Sequence, residues 1–217
     1  MPRNPALLIL LALLLAPGAA SAQAMVVRRV GLRDVPAAAA HRGTVEGARR
    51  WTDRNGENLI VLTRTDQATT RGADGEPLRA REIHAYHYVR EGAGYRLLWR
   101  TADFVRDCPL DLALEYAPGS LRITDVDADG VAETSFVYRL ACQGGVDPSE
   151  LKLIMHEGAT KYAIRGTTDL RDVAPGYPAP EMRVDAALRR VPFLRELAEQ
   201  QWRQFVREHR WPDDGGP

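Results

Sequence analysis

The chain has 217 residues, with 29 Lys plus Arg balancing 29 Asp plus Glu. That balance excludes the basic excess expected of a nucleic-acid-binding protein, and no Lys/Arg-dense segment is present to meet an anionic membrane. The length favours one domain, with room for a small appended element.

At the N-terminus, Arg3 precedes an apolar run from Leu7 to Leu15. The run is too short to span a bilayer as a helix. Pro17 and Gly18 break it. The small-residue triplets Ala20-Ser21-Ala22 and Ala22-Gln23-Ala24 then offer signal-peptidase sites. Residues 1–24 therefore read as a secretory signal cleaved after 22 or 24, with a retained anchor as the competing reading. No later apolar run approaches membrane length. Cleavage removes Arg3 and leaves 28 basic and 29 acidic residues. The expected location is exported: periplasmic first, extracellular second.

The middle of the chain reads as a series of hairpins. Asp53-Arg54-Asn55-Gly56 is a turn signal ahead of the β-branched run Asn58–Thr65. Between Arg81 and Arg90, Ile83, Ala85, His87 and Val89 share one face, and His84, Tyr86 and Tyr88 the other. A turn at 91–94 leads into Tyr95–Thr101. Leu112, Leu114 and Tyr116 alternate with Asp111, Ala113 and Glu115. Pro118-Gly119 turns the chain into Leu121–Thr124. In Thr134–Cys142, Phe136, Tyr138, Leu140 and Cys142 lie on one face. Leu151–His156 and Thr160–Arg165 make a last hairpin around Gly158. The expectation is a mainly β domain over 25–172, an antiparallel meander forming a sandwich, barrel or propeller-like sheets.

Residues 173–183 are Pro/Gly-rich and read as a linker. Residues 184–211 read as a helical segment, with a short tail at 212–217. Pro192 suits the first turn of a helix. Leu194, Leu197, Ala198, Trp202, Phe205 and Val206 then form an apolar stripe at helical spacing. The amphipathic helix is expected to pack that stripe on the sheet. Two cysteines, Cys108 and Cys142, in an exported chain imply one disulfide.

Residues 125–133 carry the clearest chemistry: Asp-Val-Asp-Ala-Asp-Gly-Val-Ala-Glu. Hard divalent cations such as Ca²⁺ take six to eight oxygens. Asp125, Asp127 and Asp129 at alternate positions supply three carboxylates. Gly130 permits a reversal, the carbonyl of Val131 supplies a further oxygen, and Glu133 closes the shell directly or through water. Four carboxylates this close repel one another unless a cation sits among them. No EF-hand is present: position 12 is Phe136 and both flanks read as strands. An Asp-rich turn with no ion is the competing reading.

Between Ile123 and Phe136 the Asp-x-Asp-x-Asp-Gly-x-x-Glu segment joining two strands resembles the calcium loop of FG-GAP and VCBS-type repeats. That resemblance implies a structural Ca²⁺ and covers fourteen residues. Only one good copy is present, whereas those families carry several blades. Asp53, Asn55, Gly56 and Glu57 read as an ordinary hairpin turn rather than a worn second copy. The stretch Ile123–Gly166, with Lys152-Leu-Ile-Met-His-Glu157 and Lys161-Tyr-Ala-Ile-Arg-Gly166, resembles small exported bacterial proteins loosely labelled as surface-polysaccharide biosynthesis proteins. That label implies an envelope location, not a reaction.

Other chemistry-bearing residues are scattered. His84 and His87, three apart on a strand, point to opposite faces and cannot chelate one metal together. His156-Glu157, Asp103 and Asp107 read as exposed strand-end groups. Trp99 and Trp202 are expected in the core, with Trp51 and Trp211 open. No nucleophile elbow, zinc-protease helix, phosphate loop or dinucleotide fingerprint occurs. The expected function is an exported, non-catalytic protein with a calcium-stabilised hairpin that binds or assembles envelope glycan or protein. The alternative is a periplasmic glycan-acting enzyme whose carboxylates the sequence does not identify.

Overall fold

The computed structural model describes residues 25–207 and Trp211. The expected signal segment 1–24 and tail 212–217 lie outside the described residues. Among the described residues, twelve strands form two antiparallel sheets. The first contains β1 (Arg28–Arg29), β2 (Thr44–Asp53), β3 (Gly56–Arg64), β4 (Ala68–Arg71), β5 (Pro77–Glu91) and β6 (Gly94–Cys108). The second contains β7 (Asp111–Tyr116), β8 (Arg122–Thr124), β9 (Glu133–Gln143), β10 (Glu150–Glu157), β11 (Thr160–Thr167) and β12 (Met182–Val184). A 3₁₀ turn at Leu188–Arg190 and helix α1 (Pro192–Phe205) follow. The mainly β class with one C-terminal helix thus holds, and the meander takes the sandwich form.

Each sheet contains one row that is split in two. β3 pairs with β5 over Ile83–Val89, and β4 pairs with the same strand over Pro77–Ala80. Likewise β7 pairs with β9 over Tyr138–Gln143 and β8 over Glu133–Ser135. In the second gap the Ser120 hydroxyl replaces ladder bonds. It donates to the Val137 carbonyl at 3.2 Å and accepts the Val137 N–H at 3.1 Å.

Strand alternation sorts side chains into three buried layers. Between the sheets lie Trp51, Ile60, Ile83, Trp99, Phe136 and Ile154 with their neighbours. Leu59, Val61, Tyr86 and Tyr88 on the outer face of the first sheet are covered by Val30, Val35 and Ala39. The Tyr86 hydroxyl accepts the Arg42 N–H at 3.1 Å, and the Tyr88 hydroxyl donates to the Ala40 carbonyl. The outer face of the second sheet carries Val137, Leu153, Met155 and Ile164, covered by Leu194, Ala198 and Trp202 of α1. The helical stripe therefore packs on the sheet as its spacing predicts. One polar residue joins it: buried Gln201 donates to the Ser120 carbonyl at 2.6 Å and accepts from the Ser135 hydroxyl at 2.7 Å.

Four strands lie outside the sequence expectation: the short β1 and β4, and two whose local signals were masked or outweighed. Thr44–Asp53 is a ten-residue strand whose alternation is masked by a register shift between Val45 and Gly47 and by two arginines in succession. The expected helical segment from 184 begins later. Val184 is strand, paired with Ile164, and the α-helix starts at Pro192. Met182 likewise turns the end of the expected linker into β12. Gly166 makes that pairing possible, because a Cβ there would lie 1.8 Å from the Glu181 carbonyl oxygen. Local helical spacing of Val184, Leu188 and Val191 was outweighed by an open edge on β11 that accepts a strand.

Candidate cation loop and its supports

The acidic loop joins β8 to β9, and its end residues pair as Thr124 with Glu133. Gly130 takes φ +80°, the left-handed conformation that a reversal here requires. Carboxylate oxygens of Asp125, Asp127 and Glu133 lie within 4.8 Å of one another. Asp125 accepts the Gly130 N–H at 3.4 Å and Asp127 the Asp129 N–H at 3.2 Å. Glu133 is only 1% exposed. Its carboxylate accepts the Thr124 hydroxyl at 2.7 Å and the Val126 N–H at 3.2 Å. Burial, reinforced by Asp127, pushes its pKa above the ordinary value despite those bonds.

Asp129, expected as a third inward ligand, is placed differently. Its Oδ1 accepts the Val131 N–H at 2.7 Å and its Oδ2 faces Arg54 at 3.6 Å. Both of its oxygens are thus engaged by groups outside the Asp125, Asp127 and Glu133 cluster. Val131 is half-buried within the loop. A carboxylate unmarked by the loop motif approaches instead. Glu157 of β10 is the register partner of Glu133. Burial and then the charges of Asp127 and Asp129 raise its pKa. In the sequence Glu157 was a strand-end residue beside His156, and only the β9–β10 register brings it here.

The loop is docked on the turn between β2 and β3. Arg54 N–H donates to the Gly130 carbonyl at 2.7 Å, and Ala132 N–H donates to Asp53 Oδ2 at 3.1 Å. Asp53 also accepts from Trp51 Nε1 at 2.9 Å and from the Asn55 N–H at 2.8 Å. The Asp53–Gly56 segment is thus an ordinary hairpin turn, and it clasps the acidic loop of the other sheet. At the opposite end of β9, Cys142 is disulfide-bonded to Cys108 of β6 with Cα atoms 5.6 Å apart. The expected disulfide therefore also joins the two sheets.

No family model, curated protein or solved structure matches the chain. Function therefore rests on the chemistry of its own residues.

Between the sheets lies a polar ladder that overturns the exposed reading of His156, which is only 3% exposed because its strand runs through the core. His87 and His156 come from different sheets, and both rings pack on Trp99. His84 lies on the outer face with Tyr86, as alternation requires, with its Nε2 3.3 Å from Glu82. Asp103, expected at an exposed strand end, instead accepts the Tyr138 hydroxyl at 2.8 Å and Lys152 Nζ at 2.7 Å. Those bonds outweigh burial and hold its carboxyl below the ordinary value. Asp107 remains exposed. Trp51, Trp99 and Trp202 are all buried. Trp211 is half-buried, donating to the Phe205 carbonyl at 3.0 Å.

A cavity of about 530 Å³ opens beside β1, lined by Met25, Val26, Arg28, Arg50, Trp51, Thr52 and Glu57.

Proposed function

We propose that the protein is an exported, non-catalytic binding or assembly component of the cell envelope, with a structural Ca²⁺ held by the 125–133 loop. The observation that carries this reading is the convergence of Asp125, Asp127 and Glu133 oxygens within 4.8 Å on a strand-to-strand loop. A buried glutamate with a raised pKa is costly beside two aspartates, and a hard cation offsets that cost. The likeness of the loop to FG-GAP and VCBS-type calcium segments supports the same ion. A cation here would stiffen the loop that grips the β2–β3 turn, complementing the disulfide at the far end. Export agrees with the disulfide, which persists in oxidising compartments, and with the signal-like N-terminus.

Binding rather than glycan hydrolysis is favoured by the lining of the 530 Å³ cavity. Its one carboxylate, Glu57, is ion-paired to Arg50 at 3.4 Å and Arg90 at 3.7 Å. Two carboxylates poised for proton transfer and attack are what glycoside hydrolysis requires.

Calorimetric titration of the purified protein with Ca²⁺ tests the reading. Binding heat and a higher melting temperature in calcium than in chelator are expected. Absence of both sinks the cation site.

A further inference from the structure

Arg28 and Arg50 are register partners across β1 and β2, so their side chains leave the same face at adjacent positions. Like charges directly opposite on a sheet are destabilising. The neighbouring register pair is again two arginines, Arg29 and Arg49. Among the described residues Arg28 forms no ion pair. Arg50 donates through Nη2 to the Tyr95 hydroxyl at 3.1 Å. Its buried Nε lies 3.4 Å from Glu57 but makes no hydrogen bond. Glu57 is itself divided between Arg50, Arg90 and the Tyr95 hydroxyl. One carboxylate thus serves two guanidiniums and leaves Arg28 unanswered.

Both register partners line the 530 Å³ cavity. That volume falls in the range of small-molecule sites. Guanidinium forks match carboxylate or phosphate oxygens bidentately. Arg28 and Arg50 against Glu57 give the lining a surplus of one positive charge, which suits a monoanion better than a polyphosphate. The hydroxyl of Thr52 and the carboxylate of Glu57 offer partners for ligand hydroxyls. We propose that this cavity binds a small hydroxylated acid of the uronate class, with Arg28 and Arg50 clamping its carboxylate. The ligand is either a free sugar acid or a unit of an acidic polysaccharide.

The inference rests on the binding reading above, but not on its cation. Calorimetry with glucuronate, polygalacturonate, glucose and inorganic phosphate, each in calcium and in chelator, tests it. Glucuronate, polygalacturonate or both should bind in a salt-sensitive manner, and glucose should not. Binding of the monomer identifies a free acid as the ligand, and binding of the polymer alone identifies the polysaccharide. Arg28→Gln should weaken that binding about tenfold or more. Arg28 is exposed on a two-residue edge strand, so an unchanged melting temperature will certify the variant. The proposal is overturned if neither uronate binds, if Arg28→Gln leaves binding intact, or if phosphate binds as well as glucuronate. Calcium-insensitive melting with intact uronate binding would remove the cation and keep this site; the reverse result would remove this site alone.

Discussion

The indole of Trp99 lies flat against the imidazole of His156, ring centroids 3.8 Å apart and planes within 9° of parallel. His87 meets the edge of the same indole from its own sheet, at 5.4 Å and 82°. Its Nε2 is 2.9 Å from Asn58 Oδ1, while His156 Nε2 is 3.4 Å from the Thr101 hydroxyl. Burial, reinforced for His156 by Lys161, lowers the two pKa values to about 4 and about 3.

These shifts set an acid limit on stability. The unfolded chain binds protons on both histidines near pH 6.5, whereas the folded chain refuses them until about pH 4 and about pH 3. The unfolded state then holds more protons, so stability falls as pH drops through that window. The slope is up to roughly 1.4 kcal/mol per pH unit for each histidine. Denaturant midpoints measured from pH 7 to pH 4 should fall steadily. His156→Phe should flatten the profile, and an unaltered slope would refute the assignment.

Calcium should act in the opposite pH range. Glu133 has a raised folded pKa, so its ionised form costs stability at neutral pH, and that cost vanishes as pH falls through the raised value. A cation relieves the same cost, and protons compete with it. The melting-temperature gain from Ca²⁺ should therefore be largest near neutrality and shrink on acidification. At a hundredfold excess over Kd the stabilisation behind that gain should reach about 2.7 kcal/mol. Asp127→Asn should remove most of it, and a pH-independent calcium effect would contradict the site.

Asp53 and Arg54 separate the weight of the two docking contacts. Asp53→Ala leaves Trp51 Nε1 and the Ala132 N–H without their acceptor and should cost about 1–3 kcal/mol. Arg54→Ala removes a solvent-exposed ion pair and should cost under about 1 kcal/mol. Urea titrations of both variants decide the matter, and equal losses would show that the clasp is not the Asp53 network.

Removing the disulfide frees a loop spanning 34 positions. Chain entropy predicts a loss of about 4 kcal/mol for the Cys108→Ala, Cys142→Ala double variant. Chemical unfolding monitored by tryptophan fluorescence should register it, as should reduction of the native protein. A loss below about 1 kcal/mol would mean that the sheets are held chiefly by the shared core.

Gln201 offers a comparable test for the helix. Gln201→Leu strips partners from the Ser120 carbonyl and the Ser135 hydroxyl, both in buried residues, and should cost about 1–3 kcal/mol. The exposed neighbour Gln200→Leu should stay within about 0.5 kcal/mol.

Much of the fold was legible because its signals are short-ranged. The alternation of Ile83, Ala85, His87 and Val89 against His84, Tyr86 and Tyr88 sorted that strand into its true faces. The helical stripe from Leu194 to Val206 found its sheet. With only two cysteines, the pairing had one solution. The strand at Thr44–Asp53 stayed hidden behind a bulge and an arginine pair, and β12 behind a spacing that also suits a helix. In the acidic loop, residue spacing marked Asp125, Asp127 and Glu133 for convergence. It could not show that Asp129 would meet the Val131 N–H and Arg54 or that Glu157 would face Glu133.

The sequence by itself determined what depends on neighbours within a few positions: strand periodicity, turn glycines, the amphipathic helix and an acid-dense bend. Tertiary structure alone decided what depends on register between distant strands. The Trp99–His156 stack, the Asp53 clasp and the opposed pair Arg28 and Arg50 all join residues from different elements. Register is set by packing summed over both sheets, so no local stretch encodes which charges and rings will finally meet.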